Sequence, residues 1–540
     1  MKEFLEDKIK DLIGQLQLRG DWDDFEVPKV VVERPRDLAH GDWMTNIALV
    51  LAKEVKKPPR EVAQELCDAL NEAAVENIKS VDIAGPGFIN FRVTQKYLQT
   101  VVENIIEQGE NYGNNDIHKG KRINNEFISA NPTGPLHLGN GRGGFLGDVI
   151  TNVLAKSGAD IVNEYYLNDA GEQVIKLGHS VLKDDEKVYG GEYIDILNEE
   201  LQHKDINTND VRAIGEWAAN EIVHTYLKRT TQDIMNIQFD NWISEKKDIV
   251  DAGFVDRAIE VLEKKELVFE KDDAKWLRTT DFGDDKDRVL VKSDGERTYF
   301  ASDCGYILNK MERGFDELIE IWGADHHGYV TRFEAAARAI GFEGKIKFIM
   351  VQLVRLVKDG KEVRMSKRAG NVVYIDDLIS EVGPDVARFF FLMQSIDSHM
   401  DFDLDLAKEK SSKNPVHYVQ YAYARLSSIL ARSEELSIVQ EDILNCDIGV
   451  LTNKKELELM RELEIFEEIV ADIANTYYVH QLPHYAIELA EKFHSFYTEC
   501  KVIDESDINM TRARLKLLYA TKSVIAQTLN LIGVDAPEKM

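Results

Sequence analysis

The chain has 540 residues, a formal net charge of −30 and a pI near 4.9. This length predicts roughly three or four domains. The negative net charge argues against non-specific electrostatic binding of nucleic acid over the whole surface, although local basic patches could still bind RNA. The four cysteines are scattered without zinc-ligand spacing, so we expect reduced thiols in a cytoplasmic protein. We find no signal peptide and no apolar run of about 20 residues, and therefore expect no membrane partner.

Residues 1–116 predict a small α+β domain. Apolar residues recur at helical spacing near the start, at Leu5, Ile9, Leu12 and Ile13. Residues 84–91 indicate a turn that leads into a strand, and the polar, turn-rich segment 113–120 is typical of a linker.

Residues 117–405 predict an α/β domain. Short β-branched runs alternate with helical stretches, which indicates βαβ units and a parallel, Rossmann-like sheet. The runs lie at residues 123–128, 160–167, 289–292, 318–322 and 346–351. The charged and helical segment 172–265 is predicted to be an insertion into this domain.

Residues 406–540 predict an all-α bundle, because strand patterns almost vanish there. Helical periodicity covers residues 413–434, 454–478, 482–502 and 510–531. The expected fold class is therefore α/β, with a Rossmann-like parallel-sheet domain between an N-terminal α+β domain and a C-terminal helical bundle.

The segment 129–140, SANPTGPLHLGN, connects a strand-like run to a helix-like run at 144–154. Such a turn presents backbone N–H groups and the positive end of the helix dipole, where the phosphates of ATP could bind. Gly139 allows close approach of a ligand to the backbone, and His137 and Asn140 would donate hydrogen bonds to a phosphate. A strand-to-helix turn with a structural histidine explains this segment equally well.

A second segment, RMSKR at 364–368, has glycines on both sides, at positions 360 and 370. A flexible loop with the compact charge of Lys367 could close on a leaving pyrophosphate and stabilise it mainly in the transition state. Without the first segment, a basic turn exposed to solvent would explain residues 364–368 better than a loop that binds pyrophosphate. Together the two segments predict an ATP site that consists of His137, Gly139, Asn140, Arg364, Met365, Ser366 and Lys367, with His137, Asn140 and Lys367 as the catalytic residues.

The two motifs, in this order on a parallel-sheet domain, resemble those of class I aminoacyl-tRNA synthetases. Further segments are similar to arginyl-tRNA synthetases, and the resemblance extends over essentially the whole chain. These segments are residues 41–48 (GDWMTNIA), 84–91 (AGPGFINF), 168–171 (NDAG), 239–242 (FDNW), 322–328 (WGADHHG), 418–425 (YVQYAYAR) and 536–540 (APEKM).

The resemblance implies an arginine–tRNA ligase that forms arginyl-adenylate and pyrophosphate from arginine and ATP, then transfers arginine to the 3′-terminal ribose of tRNA(Arg). It implies that activation requires tRNA, that Mg²⁺ accompanies ATP, and that the protein has no metal site of its own. The N-terminal domain is expected to bind the tRNA elbow and the C-terminal bundle the anticodon. We expect a monomer. We also expect no editing domain, because buried acids that pair with a guanidinium reject other amino acids.

The resemblance also implies a set of arginine-binding residues. A planar guanidinium is held best by carboxylates that accept two hydrogen bonds, and residues four apart share one helix face. Read alone, each residue has a plainer explanation, such as an aspartate paired with a lysine or a tyrosine in the core. The matching residues are Glu126, Asn131, Tyr299, Asp303 and His327.

For the RNA, one helix of the bundle carries Tyr418, Tyr421, Tyr423 and Arg425. Aromatic rings and guanidinium planes stack on splayed-out bases, so we predict tRNA contacts there, although aromatic residues at helical spacing are more often core. Two positions depart from the family pattern: Asn140 stands where histidine is common, and Arg364 where lysine is usual. Asparagine still donates a hydrogen bond but carries no charge.

Two other classes of protein stay open at this point. A ligase that adenylylates another small acid could use the same turn and loop, but it would not need a long helical C-terminal domain. A non-catalytic RNA-binding paralogue is disfavoured because His137, Gly139 and Lys367 are all present.

Overall fold

The computed structural model describes residues 1–35, 37–363, 373–435 and 438–540. The chain forms two compact units, and the C-terminal helices contribute to both. The first unit comprises Met1–Gln108, Leu436–Glu464 and Ser495–Ala520, and the second comprises Gly109–Glu435, Ile465–His494 and Thr521–Met540. The domain boundaries expected near residues 116 and 405 stay predictions.

The N-terminal segment is an α+β structure. Its elements are α1 (Lys2–Arg19), β1 (Val32–Glu33), β2 (Trp43–Thr45), α2 (Ile47–Val55), α3 (Pro59–Glu72), β3 (Ile78–Ala84), β4 (Phe88–Val93) and α4 (Gln95–Gln108). The strands form an antiparallel sheet in the order β1-β2-β4-β3. One face of α1 is buried through Leu5, Ile9, Leu12 and Ile13, as their spacing predicts.

The first half of the α/β region contains three strands of the main sheet. Its elements are β5 (Arg122–Glu126), α5 (Leu138–Lys156), β6 (Asp160–Leu167), α6 (Glu172–Leu182), α7 (Glu192–Leu201), α8 (Val211–Ile222), β7 (Asn241–Ser244) and α9 (Phe254–Lys264). Short π-helical turns lie at Val223–Leu227, Thr230–Ile234 and Glu245–Val250.

The second half completes the sheet and adds two smaller ones. Its elements are β8 (Val268–Lys271), β9 (Ala274–Leu277), β10 (Arg288–Val291), α10 (Tyr299–Glu312), β11 (Glu317–Gly323), α11 (Val330–Ile340), β12 (Lys345–Val351), β13 (Val354–Lys358), β14 (Lys361–Glu362), α12 (Ile375–Val382), α13 (Pro384–Met393), β15 (Met400–Asp403) and α14 (Leu404–Lys408).

The C-terminal region is helical in its described residues. Its helices are α15 (Pro415–Glu435), α16 (Gln440–Leu444), α17 (Lys454–Thr476), α18 (Gln481–Glu499) and α19 (Ile508–Ile532). In the described ranges, no helix combines the length and the apolar character needed to cross a membrane. All four cysteines are free thiols.

The main sheet is parallel throughout, in the order β12-β11-β5-β6-β7. It confirms the predicted fold class, together with the N-terminal α+β structure and the C-terminal helices. The chain leaves β5 towards β6 on one side and later returns to β11 on the other. Adjacent strands with oppositely directed connections open a crevice at their carboxyl ends.

One strand of the predicted sheet is placed wrongly, and another strand was not predicted. The run at 289–292 is not in the parallel sheet: it lies in β10, which pairs antiparallel with β9 in a separate sheet whose β8–β9 hairpin turns at Asp272 and Asp273, both with positive φ. The segment predicted as a helical insertion contains β7, which pairs with β6 in the main sheet. Periodicity indicates a strand but not its partner, and a strand of four residues gives little periodicity.

Candidate active site

The strand β5 ends in a turn with an unusual backbone. Ile128 and Ser129 have φ angles of +67° and +37°, a region that costs a non-glycine residue about 1–3 kcal/mol and that a β-branched residue rarely enters. Ser129 Oγ donates to Glu126 Oε1 at 2.9 Å and accepts from the backbone N–H of Tyr166 at 3.0 Å. The side chain of Ser129 therefore holds the strained turn against both β5 and β6.

Helix α5 packs closely behind this turn because it carries glycines on that face. A Cβ on Gly147 would lie 2.3 Å from the ring of Phe127, so only glycine allows the ring to sit there. The turn and the middle of α5 are thereby fixed to each other.

The first turn of α5 is capped by a side chain, and the N-terminus of the helix stays open to a ligand. The backbone N–H of His137 donates to Asn140 Oδ1 at 3.0 Å, which closes the first turn in the manner of a capping box. Since the oxygen of this carboxamide is the acceptor, its NH₂ group can still donate a hydrogen bond. A Cβ on Gly139 would lie 3.2 Å from the imidazole of His137, so a bare backbone lies beside that ring.

His137 is suited to bind as a neutral imidazole. Its side chain reaches solvent, yet the surrounding protein removes enough water to lower its pKa, against the opposing effect of Asp325. A neutral imidazole can still donate one hydrogen bond to an anionic ligand.

The second ATP segment lies outside the described residues, including Arg364, Met365, Ser366 and Lys367. The chain is described again from Val373, whose carbonyl accepts from the N–H of Leu138 at 2.9 Å. The N–H of Ile375 donates to Leu136 O at 3.1 Å. The polypeptide that follows this segment is thus paired with the turn at His137.

Two of the predicted arginine-binding residues, Tyr299 and Asp303, lie on the first turns of α10. The hydroxyl of Tyr329 donates to Asp303 Oδ2 at 2.6 Å, and Tyr299 Oη accepts from the N–H of Glu172 at 3.2 Å. Burial raises the pKa of Asp303 to about 6, despite the opposing effects of Tyr329 and Arg332.

A second carboxylate, Glu245, lies near Asp303 and was not predicted from the sequence. It is 4% exposed, and burial raises its pKa to about 7, with a hydrogen bond from Ser302 acting against the shift and the charges of Asp303 and Asp169 adding to it. In the described part of the chain, no lysine or arginine forms a salt bridge with Glu245 or Asp303. Arg332 acts on Asp303 without a salt bridge to it, so the buried Glu245 and the half-buried Asp303 form a pocket that can still pair with a cation.

Asp169 fixes the position of Glu245 by holding its two neighbours. Ser244 Oγ donates to Asp169 Oδ2 at 2.6 Å, and the N–H of Lys246 donates to Oδ1 at 2.9 Å. Glu245 itself is the first residue of a π-helical turn, a feature that is frequent at functional sites.

Tyr166 lies among these acids. Burial raises its pKa well above the ordinary value, and the charges of Glu245, Asp303, Glu126 and Asp169 all act in the same direction. Its ring stacks on Tyr306 with centroids 4.2 Å apart. We call the group of Tyr166, Asp169, Glu245, Tyr299 and Asp303 the acidic pocket.

Glu126 has a different environment from the one expected. Its carboxylate accepts from Ser129 Oγ, from Tyr306 Oη at 2.6 Å and from Lys310 Nζ at 2.7 Å. Three internal donors already satisfy this carboxylate, so a guanidinium would have to displace or share them. Glu126 lies at the end of β5, directly before the turn, as expected. Its hydrogen-bond partners, however, are those of an acid that stabilises the fold.

The two remaining predicted arginine-binding residues lie on the surface of the crevice. Asn131 is exposed in the turn after β5, and its carbonyl accepts from the N–H of Thr133 at 2.8 Å. His327 is exposed in the 3₁₀ turn Ala324–Tyr329 after β11. Neither side chain is brought into the acidic pocket.

The four residues predicted to bind tRNA divide between two sides of α15. Tyr418 and Tyr421 both pack on His494, with ring centroids 5.1 and 5.9 Å apart, and Arg425 donates to Tyr421 Oη at 2.9 Å. Tyr423 lies on the opposite side and is buried. The structure therefore brings three of the four together and places Tyr423 in the core.

Sequence signals existed for two of the residues that were missed. Asp169 lies inside the segment 168–171, and Tyr329 directly follows the segment 322–328. Glu245 has no distinguishing pattern, since a glutamate between serine and lysine is typical of any polar turn.

Comparison with known protein families covers nearly the whole chain. Residues 3–93 match the arginyl tRNA synthetase N terminal domain, residues 101–390 the class I (R) tRNA synthetase catalytic domain, and residues 419–540 the DALR anticodon binding domain. The chain is 41% identical to the arginine–tRNA ligase of Bacillus subtilis, over 100% of this chain and 99% of that protein, and 42% identical to that of Bacillus licheniformis over the same shares.

The chain belongs to the arginyl-tRNA synthetase family. The predicted resemblance is thereby confirmed.

The chain is also similar to solved structures of arginyl-tRNA synthetases. A putative arginyl-tRNA synthetase from Campylobacter jejuni matches with a TM-score of 0.75 and 31% identity, over 83% of this chain and all of that one. The Thermus thermophilus arginyl-tRNA synthetase matches over the full length of both chains with a TM-score of 0.77 and 21% identity, and at that identity supports the fold alone.

Proposed function

We propose that this chain ligates arginine to tRNA(Arg) in two steps. The arginine carboxylate attacks the α-phosphate of ATP, which gives arginyl-adenylate and releases pyrophosphate. A terminal ribose hydroxyl of the tRNA then attacks the adenylate carbonyl, which gives the ester and releases AMP. No side chain has to act as a nucleophile, so positioning and charge stabilisation carry the catalysis.

The observation that carries the proposal is the acidic pocket. Glu245 is buried and Asp303 half-buried, neither forms a salt bridge with a lysine or arginine among the described residues, and both have raised pKa values. A bound guanidinium would supply the missing cation and satisfy both carboxylates. We therefore assign the guanidinium to Glu245 and Asp303, with Tyr299 at the entrance, where its side chain is 56% exposed.

Asn131 and His327 would then contact the polar, reacting end of arginine from the surface of the crevice. Glu126, with its three internal donors, is better suited to support the turn than to bind the guanidinium.

The nucleotide is proposed to bind at the start of α5. His137, Gly139 and Asn140 surround an open helix N-terminus, which favours phosphate. Arg364, Met365, Ser366 and Lys367 complete the site, with Lys367 acting on the leaving pyrophosphate. The pairing of Val373 with Leu138 supports this arrangement, because it ties the polypeptide next to that segment to the same helix end.

Magnesium is proposed to arrive with ATP. Among the residues that the structure describes, no group of three or more His, Cys, Asp or Glu side chains could hold a metal ion. Mg²⁺ commonly binds through substrate phosphates and water with few protein ligands, and bound in that way it would neutralise phosphate charge.

The tRNA is proposed to contact α15 through Tyr418, Tyr421 and Arg425. The match to the DALR anticodon binding domain supports an anticodon contact in this region. Tyr421 is 48% exposed, so a base could stack on its ring without rearrangement of the core.

The decisive experiment is pyrophosphate exchange with each amino acid, with and without tRNA. We expect exchange with arginine alone, and only when tRNA(Arg) is added. Exchange that runs fully without tRNA would contradict the tRNA requirement, whereas failure to charge arginine onto total tRNA would overturn the assignment itself.

A further inference from the structure

One face of α10 carries polar residues from the acidic pocket into the interior of the sheet. Tyr299, Asp303, Tyr306 and Lys310 follow one another at spacings of four, three and four residues, which places them on one helix face. The first two belong to the acidic pocket. The last two are buried against the sheet, and the proposed function assigns them no role.

Lys310 is the most deeply buried charge of this face. Its side chain has no exposure, and its ammonium lies 2.7 Å from Glu126 Oε2 and 2.7 Å from Glu320 Oε1. Burial alone would lower its pKa, but the charges of Glu126, Glu320 and Glu164 outweigh burial and raise it. Lys310 is therefore a fixed cation between the end of β5 and the middle of β11, the two strands that border the crevice.

The two carboxylates around Lys310 have different surroundings. Glu126 also accepts from Ser129 Oγ and from Tyr306 Oη. Burial raises the pKa of Glu320, and the neighbouring acids Glu126 and Glu164 add to this shift against Lys310. Only Glu126 is thus connected to the turn after β5.

A continuous chain of contacts therefore leads from Lys310 through Glu126 to Ser129, in the strained turn. Backbone strain persists only where surrounding contacts enforce it. This turn contains Asn131 and leads into the nucleotide segment at His137, so a small shift in it would displace the groups that are proposed to align arginine with ATP.

We propose that Lys310 is a positioning residue for adenylate formation, which holds the strained turn at residues 127–131 in its reactive geometry through Glu126 and Ser129. This inference rests on the proposed function. It assigns a role in the reaction to a residue that touches neither arginine nor ATP.

The test compares three variants in arginine-dependent pyrophosphate exchange with tRNA present, together with thermal unfolding. Ser129→Ala removes only the hydroxyl that connects Glu126 to the turn. Lys310→Met removes the ammonium and keeps an unbranched side chain that is one atom shorter. Glu320→Gln is the matched control. Glu320 is buried like Lys310, and its carboxylate lies at the same distance from the Lys310 ammonium as the carboxylate of Glu126.

We expect Ser129→Ala to keep a melting temperature close to that of the wild type but to lower kcat by roughly ten- to a hundredfold, with KM for arginine and ATP changed less than about threefold. A misplaced reactive geometry lowers kcat in this way. Lys310→Met should show the same loss of kcat together with a lower melting temperature. Glu320→Gln should lower the melting temperature and keep kcat within about twofold of the wild type.

Wild-type kcat in Ser129→Ala would overturn the inference. A loss of kcat in Glu320→Gln equal to that in Lys310→Met would also overturn it, because the effect would then follow the stability of the sheet. If the wild type itself shows no arginine-dependent exchange in the same assay, the proposed function fails instead.

Discussion

At the scale of single residues, the acidic pocket is proposed to select the amino acid. Glu245 and Asp303 are ordinary acids in the sequence, and their raised pKa values arise only from burial and from their proximity. These acids are proposed to reject neutral amino acids, because such a ligand would leave them unpaired.

The pocket predicts a pH dependence. Both acids must be ionised to hold a guanidinium, and their pKa values of about 6 and about 7 lie above the ordinary values, so the ionised fraction rises with pH between about 5 and 8. We expect kcat/KM for arginine to rise over this range, which steady-state kinetics at fixed tRNA and ATP would measure. The pair titrates as a unit, so the profile belongs to both residues.

The variant Glu245→Gln should raise KM for arginine by about 30-fold or more, since one partner of a buried charge pair is lost, and should remove the upper part of the pH dependence. The control is Asp284→Asn. Asp284 is a buried acid whose carboxylate is held by Arg288 at 2.8 Å, so its loss should lower the melting temperature and leave KM for arginine unchanged. A flat pH profile in the wild type would contradict the assignment of Glu245 and Asp303.

At the scale of elements, Asn140 at the start of α5 has a structural role and a proposed binding role. Its carboxamide oxygen accepts from the backbone of His137, while its NH₂ group is proposed to bind a phosphate. The family pattern often has histidine here. Asparagine can serve both purposes because it offers an acceptor and a donor at once.

Two substitutions separate these roles. Asn140→Asp keeps an acceptor for the backbone of His137 but adds a negative charge, so we expect unchanged stability and at least a tenfold higher KM for ATP. Asn140→Ala removes the cap and should reduce the free energy of unfolding by about 0.5–2 kcal/mol, measured by denaturant titration. An unchanged KM for ATP in Asn140→Asp would place the nucleotide elsewhere.

The elements show how far sequence patterns extend. The helices of the C-terminal bundle follow their periodicity closely, because one buried face imposes a regular apolar pattern. The strand Asp160–Leu167 matches the predicted run, although successive residues in its second half are buried. The pattern at 289–292 predicts a strand equally well, yet its partner is antiparallel and in another sheet. Pairing depends on residues distant in sequence, which periodicity does not report.

At the scale of the whole molecule, the function requires that the tRNA reach α15 while its terminal ribose reaches the crevice. The family match places a DALR anticodon binding domain at residues 419–540 and a catalytic domain at 101–390. The tRNA is therefore proposed to span both regions, which agrees with the expected tRNA requirement for activation.

Substitution of Tyr421 tests the proposed RNA surface. Tyr421→Ala should raise KM for tRNA by about tenfold or more, since a base stacked on an aromatic ring contributes about 1–3 kcal/mol, and should leave KM for arginine unchanged. Tyr423→Ala is the control, because this buried ring should affect the melting temperature more than tRNA binding. If Tyr421→Ala charges tRNA with wild-type kinetics, the exposed face of α15 is not in contact with RNA.

The sequence by itself determined the fold class and the family, because these depend on local periodicity and on long motifs, and it located the turn before α5 where the nucleotide is proposed to bind. Only the tertiary structure decided which acids face one another. It brought Glu245 next to Asp303, surrounded Glu126 with Lys310, Tyr306 and Ser129, and turned Tyr423 into the core. Burial and charge pairing depend on residues far apart in the chain, and these long-range contacts set the pKa values and partners on which recognition depends.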